Sequence, residues 1–386
     1  MNCREHLAQF PLHKVRLIAE QLRVTLPETA SEAYIKHCIV NILTNWDELY
    51  KRVLKWVDRN EQDKWCLRQL LFTGRTIINT SCLEKYGLVL NKEIPDDVAL
   101  LLKDKLRKEL VQEFDLPGTF LPSAYLQMLL IVNTIKTEKK PMTSGKLLKT
   151  LGKKFGFLDI QLADTLLSYM ELRRIVSKDD KKNFKLCPNY NELFSDVVKL
   201  LNLYDDLYDR LFEEYGLRDL EWFLKKVSEI QQDDNEWICV DVFRDVSRAA
   251  PLWEKGSNTF GLFNIHIEKG KYFVSLNPDG WYLSKRQRPL AWGEKSILIS
   301  ADFEAFLPHN FDPVVIMEFI KNCHLRVVDY LAVFEVPLDT KWHFSDHFIN
   351  LVLDNALHLP DVVRYELLRK TRRLLPPTDF KGSSSR

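Results

Sequence analysis

No run in this chain approaches 18 consecutive apolar residues, so no membrane-spanning helix is expected. The first ten residues, MNCREHLAQF, lack the apolar core of a signal peptide. Seven cysteines stand at 3, 38, 66, 82, 187, 239 and 323, with no CxxC among them. An odd number at wide spacing excludes a disulfide frame or a zinc knuckle and points to reduced thiols in the cytoplasm. Charge of one sign is also missing: 55 Lys and Arg face 54 Asp and Glu, for a net charge of +1. Any surface for nucleic acid must therefore be local.

The sequences that mark common chemistry are missing too. The nearest text to a phosphate-cradling GxxxxGK[ST] loop is TSGKLLKTLGKKFG, whose Gly145-Lys146 and Gly152-Lys153 have the wrong spacing and follow no strand. Neither GxSxG nor HExxH occurs. His343 and His347 are four apart, near Asp339 and Asp346. Ser345 reads as the cap of the helix that follows, which leaves His343 outside it and the pair without a third ligand. Acid pairs such as Asp205-Asp206 and Asp233-Asp234 do not converge, because neighbouring helical side chains point about 100° apart. The sequence therefore predicts no enzyme, no cofactor and no metal.

What remains is a chain of 386 residues, 46% apolar, enough for two to four domains with real cores. Residues 1–118 read as a helical region. Leu12, Val15, Ile18, Ala19 and Leu22 fall on one face, and Ser31 caps a helix through Ile35, Ile39 and Ile42, a hairpin of SAP-like form. A stripe of Trp46, Leu49, Val53, Leu54 and Val57 follows, and the early aromatics Trp46, Tyr50, Trp56 and Trp65 read as core. Residues 95–118 predict one more helix, capped by Asp96 or Asp97 and closed by DLPG.

Residues 119–190 predict three helices and a β-hairpin: Tyr125 to Ile135, around Leu147 to Leu151, Ile160 to Leu172, then Val176 and Phe184 to Leu186. That is the winged-helix order. Residues 136–185 hold 13 Lys and Arg against 6 Asp and Glu, whereas 186–236 hold 5 against 13. Either the basic element touches phosphates, or the two segments face each other or simply solvate the surface. Tyr204, Tyr208, Phe212 and Tyr215 form a core stripe. Residues 191–290 read as a helical linker and a second winged-helix-like unit, with a hairpin turning at Lys269-Gly270. Residues 291–378 read as a β-α-β-α domain: a strand from Ile297 through Leu307, a helix capped by Asp312 with Pro313 at its first position, a strand from Val327 to Val336, and two helices, the first capped by Ser345.

The stretch ILISADFEAFLPHNFDPVVIMEFIKNCHLRVVDYLAVFEV resembles the N-terminal domain of XPB-type DNA helicases, also found in stand-alone bacterial proteins described as helicase-associated. The matching positions are Ile297 to Phe306, Leu307-Pro308, Asp312-Pro313, Val327 to Val336 and Ser345. Upstream, Leu276, Pro278, Gly280 and Leu283 match the family's hairpin end, while Asn277, Asp279 and Trp281 depart from it. The resemblance is motif-level from about 270 to 360 and extends in architecture over about two-thirds of the chain. It implies work linked to nucleic acid, and DNA, a helicase or a nuclease as partner.

The expectation is a mostly α protein with small α/β parts that binds DNA without catalysis. Phosphate contacts are assigned to Lys146, Lys149, Lys153 and Lys154 on the second and third helices of 119–190, and to Lys178, Lys181 and Lys182 on the wing. They would position the duplex without reading bases. The alternative is a protein–protein adaptor of a DNA-processing or regulatory complex, with the acidic 186–236 as its interaction face or a shield over the basic one.

Overall fold

Several described helices of this protein start on a side chain that holds the first free backbone amides. Ser31 accepts from Tyr34 N at 3.2 Å, Asn60 from Gln62 N at 3.0 Å, Ser123 from Leu126 N at 3.2 Å, Asp312 from Val314 N at 2.8 Å and Ser345 from Phe348 N at 3.1 Å. The computed structural model describes residues 1–370 except 92, 115–122, 139–140, 156–159, 195–196, 234, 244–259, 287–296, 309–311, 329–330 and 337–343. Of the histidine pair and its acids, His343 and Asp339 thus lie outside the described residues, and among the described ones no cluster of His, Cys, Asp and Glu is arranged to hold a metal. No described helix is long and apolar enough to cross a membrane.

In chain order the helices are α1 (Cys3–Ala8), α2 (Leu12–Gln21), α3 (Glu32–Leu43), α4 (Trp46–Leu49), a π-helical turn (Tyr50–Leu54), α5 (Lys55–Val57), α6 (Glu61–Thr73), α7 (Ser81–Lys85), α8 (Asp96–Leu110), α9 (Ala124–Thr137), α10 (Ser144–Phe155), α11 (Ile160–Leu172), α12 (Val197–Glu214), α13 (Arg218–Ile230), α14 (Pro278–Lys285), α15 (Pro313–Asn322), α16 (Asp346–Asn355) and α17 (Asp361–Lys370). The strands are β1 (Val111–Glu113), β2 (Val176–Lys178), β3 (Phe184–Leu186), β4 (Glu236–Cys239), β5 (Phe263–Glu268), β6 (Lys271–Leu276), β7 (Ile297–Ile299), β8 (Glu304–Pro308), β9 (His324–Val328), β10 (Leu331–Glu335) and β11 (Ala356–His358). The protein is thus mostly α with small α/β parts.

Two units divide the chain: residues 1–117, 219–253 and 265–275 form the first, and 118–218, 254–264 and 276–386 the second. In the first, α1 to α8 pack with α13 and a four-stranded sheet of order β1-β4-β6-β5. The helix expected over 95–118 stops at Leu110, because Val111 to Glu113 pair antiparallel with β4. Its cap is Pro95 rather than Asp96 or Asp97; Asp97 Oδ1 instead accepts from Cys3 N at 2.9 Å. Arg107 of α8 donates to Ile230 O, the last residue of α13, at 2.5 Å and pairs with the nearly buried Glu236 of β4. Phe114, Trp237, His266 and Phe273 pack edge to face on the sheet. Leu12, expected on the buried face of α2, is partly exposed because it opens the helix.

The second unit holds α9 to α12, the β2–β3 hairpin and a five-stranded sheet of order β11-β7-β8-β10-β9. Here the β-α-β reading is corrected. Residues 300–303 turn the first expected strand back on itself, so β7 and β8 pair antiparallel. The second expected strand likewise divides into β9 and β10. Alternation of apolar residues continues from Ile297 through Leu307, which hid the turn at 300–303. The stretch after β6, read as a hairpin end, is helix α14, with Pro278 at its first position and Asn277 Oδ1 accepting from Gly280 N at 2.9 Å. A Cβ on Gly280 would stand 2.2 Å from the Leu262 carbonyl oxygen, so only glycine fits there.

The core of this unit includes an unusual polar centre. Asp279 is buried, and its carboxylate accepts a hydrogen bond from the Tyr204 hydroxyl. Tyr125 and Tyr208 are also buried, and the Tyr204 ring meets Tyr125 and Tyr208 at a tilt and Tyr282 edge to face. Burial pushes the Asp279 carboxyl up to about 6, against the hydrogen bonds from Tyr204 and Ser123 that favour its ionised form. Lys136 at the end of α9 donates to the carbonyls of Ile320 and Lys321 at 2.8 and 2.5 Å, filling the C-terminus of α15. Burial lowers the pKa of this lysine.

Because Asp279 has a higher pKa folded than unfolded, its contribution to stability is full below about pH 4 and lost as pH rises through about 6. Asp279→Asn is expected to remove a decline of roughly 3 kcal/mol between those limits, read from urea midpoints across pH. Lys136→Ala, which leaves two helix-end carbonyls without their donor, is expected to lower stability by about 2 kcal/mol in the same assay.

Candidate nucleic-acid interface

The basic segment folds around one short pairing. Met142, just before α10, forms an antiparallel bridge with Phe184 of β3, and Phe184 N donates to Met142 O at 2.8 Å. Lys178 stands opposite Phe184 on β2. The hairpin therefore lies beside the first turn of α10, where Lys146 is found. Lys153 and Lys154 are on the last turn of that helix, roughly 10 Å further along its axis. All four α10 lysines lie on the second helix of the segment; the sequence reading had spread them over the second and third. The third, α11, carries no Lys or Arg at all.

Each of the seven expected lysines is exposed. Two are engaged: Lys154 pairs with Glu138 at 2.8 Å, and Lys178 pairs with Glu171 at 2.7 Å while its ammonium sits 4.8 Å from the centre of the Phe184 ring. Lys146, Lys149, Lys153, Lys181 and Lys182 make no ion pair among the described residues.

The hairpin tip is built rather than loose. Asp179 N donates to Asn183 O and Lys182 N to Asp179 O, both at 2.9 Å. The Asp179 carboxylate accepts from Lys181 N and Asn183 N at 2.9 Å and from Asn183 Nδ2 at 3.0 Å. These bonds, Asn183's first, hold its carboxyl below the usual carboxylate range. They also keep Lys182 in the left-handed region at φ 59°, so Lys181 and Lys182 project from a fixed turn.

Sequence reasoning missed Arg174, the residue after α11's last turn. It adopts φ 58° and lines an open concavity of about 690 Å³ with Glu171, Lys178, Ser177 and Cys187. The Arg173-Arg174 pair was the available signal, but its two members part ways. Arg173 Nε donates to Asp206 of α12 at 2.8 Å. Here a base of the basic segment and an acid of the acidic one neutralise each other inside the unit. Asp205 and Asp209 do the same with Arg286 after α14.

The outward face of α11 is Asp164, Ser168, Glu171 and Leu172, the last 61% exposed. Its flank rests on α12, where Tyr169 Oη donates to Leu203 O at 3.0 Å and Thr165 meets Tyr215 at 3.5 Å. A helix so flanked and so acidic is unsuited to a DNA groove.

Comparison with protein-family models gives no match, and comparison with curated proteins gives none either.

The two ion pairs are exposed, and such pairs contribute little. Lys154→Met and Lys178→Met are each expected to shift stability by less than about 1 kcal/mol in urea denaturation, which makes charge substitutions on this face clean probes of binding.

Proposed function

We propose that the second unit is a winged-helix module that holds a nucleic-acid duplex by its backbone, without catalysis and without reading bases. The observation that carries this reading is the set of five exposed lysines, Lys146, Lys149, Lys153, Lys181 and Lys182, that make no ion pair among the described residues and stand on α10 and a rigid hairpin tip. Lys154, Lys178 and Arg174 border them. An acidic α11 is what a module would have if it tracked phosphates and stayed out of the groove. The likeness of residues 297–345 to the N-terminal domain of XPB-type helicases supports a role beside a helicase or nuclease. Free cysteines at all seven positions suit the cytoplasm.

A protein–protein adaptor is the second reading. Its support is the outer face of α11, where the exposed Leu172 lies among Asp164, Ser168 and Glu171.

Charge reversal at all five lysines separates the two. Fluorescence anisotropy with a labelled duplex across a salt series is expected to show log-linear weakening of the native protein, and a slope flattened by roughly four units in the variant. A native protein that ignores duplex at low salt, or a variant that binds as the native does, removes the first reading.

A further inference from the structure

The four aromatics at 46–65 that read as core are not all inside. Leu49, Val53, Leu54 and Val57 are buried, but Tyr50 is 47% and Trp56 41% exposed. Lys51 and Lys55 are exposed as well. The two lysines are four residues apart, and in sequence Tyr50 precedes the first and Trp56 follows the second. The exposed positions of 50–56 are therefore, in sequence order, aromatic, cation, cation, aromatic. Neither lysine makes an ion pair among the described residues.

Further cations are placed against the Trp56 ring. Arg59 lies 4.7 Å and Arg23 5.7 Å from the Trp56 ring centre. Arg23 reaches it from a left-handed backbone, φ 56°. Arg52 secures that position by donating to Leu22 O and Arg23 O at 2.9 and 3.0 Å while pairing with Glu48 at 2.5 Å. Tyr50 stacks on Trp46, centroids 5.9 Å apart at 28°, and Lys105 stands 5.9 Å from the Trp46 ring centre. Within 50–59 there are four bases and one acid, Asp58. Tyr50 opens the π-helical turn, and such turns are frequent at functional sites.

We propose that this face of the first unit binds single-stranded nucleic acid, its backbone on Lys51 and Lys55 and its bases stacked on Tyr50 and on the Trp56–arginine group. Exposed aromatics bracketing cations suit that ligand because every base offers a π-face and every linkage a phosphate. An acidic partner protein would use the lysines but would gain little from two upright rings. This site is separate from the α10 lysines and does not depend on them.

The test uses the full chain and labelled oligothymidylate and oligouridylate in anisotropy titrations at low salt. Tyr50→Ala/Trp56→Ala is expected to weaken strand binding by about tenfold or more, with duplex binding unchanged. Tyr50→Phe/Trp56→Phe should restore most of the loss, and Lys51→Glu/Lys55→Glu, at exposed positions that leave the core intact, should weaken it too. Loss toward both oligomers, or toward one of them, supports the site and names the RNA or DNA strand as its ligand. A native protein that binds neither oligomer overturns the proposal. So does an alanine variant with native affinity, which would mean that the rings and arginines serve only each other. The five-lysine variant on α10 and the hairpin keeps strand binding if the two sites are separate, and its loss of both ligands would likewise overturn the assignment to this face.

Discussion

A helix ends with carbonyl groups that point at nothing, and in this protein side-chain cations from elsewhere in the chain meet them. Lys136 fills the end of α15, Arg107 the end of α13, and Arg52 the end of α2. Each bond joins two elements far apart in sequence, so one interaction both satisfies a helix terminus and fixes how two helices meet. Arginines also occupy the left-handed position after α2, α11 and α14, as Arg23, Arg174 and Arg286. Glycine usually stands there; an arginine accepts the strain and gains a side chain that pairs with acids, stacks on a ring or lines a concavity.

The same bonds change what the charge count means. The 13 bases of residues 136–185 looked like one reservoir for phosphates. Lys136 is spent on α15 and Arg173 on Asp206, and Lys154 and Lys178 have carboxylate neighbours. The positive surface that remains is smaller, and it sits on α10 and the hairpin tip. Part of the acidic segment is likewise used inward, on Arg173 and Arg286.

Elements whose signal is local were legible. Ser31, Asp312 and Ser345 announce their helices, α11 runs over the residues its periodicity marks, and Tyr204, Tyr208 and Phe212 face inward as their spacing implies. Elements decided by distant partners were not. Val111 to Glu113 continue a helical pattern and become a strand only because Glu236 to Ile238 lie alongside. The turn at 300–303 interrupts no alternation of apolar residues. At the candidate site the lysines were visible and their partners were not, since Glu138 and Glu171 meet them only in the fold. Tyr50 and Trp56 show the opposite limit: aromatic residues at helical spacing look like core until the neighbouring helices are in place.

The path of the chain through the two units has a consequence for biosynthesis. The first unit begins at residue 1 but needs β4 and β6, and so cannot close its sheet before residue 275 has been made. At usual elongation rates β1 waits roughly 6 to 25 s on the ribosome for its own partner, β4. During that interval the backbone edge of Val111 to Glu113 has no strand partner, and unpaired strand edges of this kind are prone to aggregate.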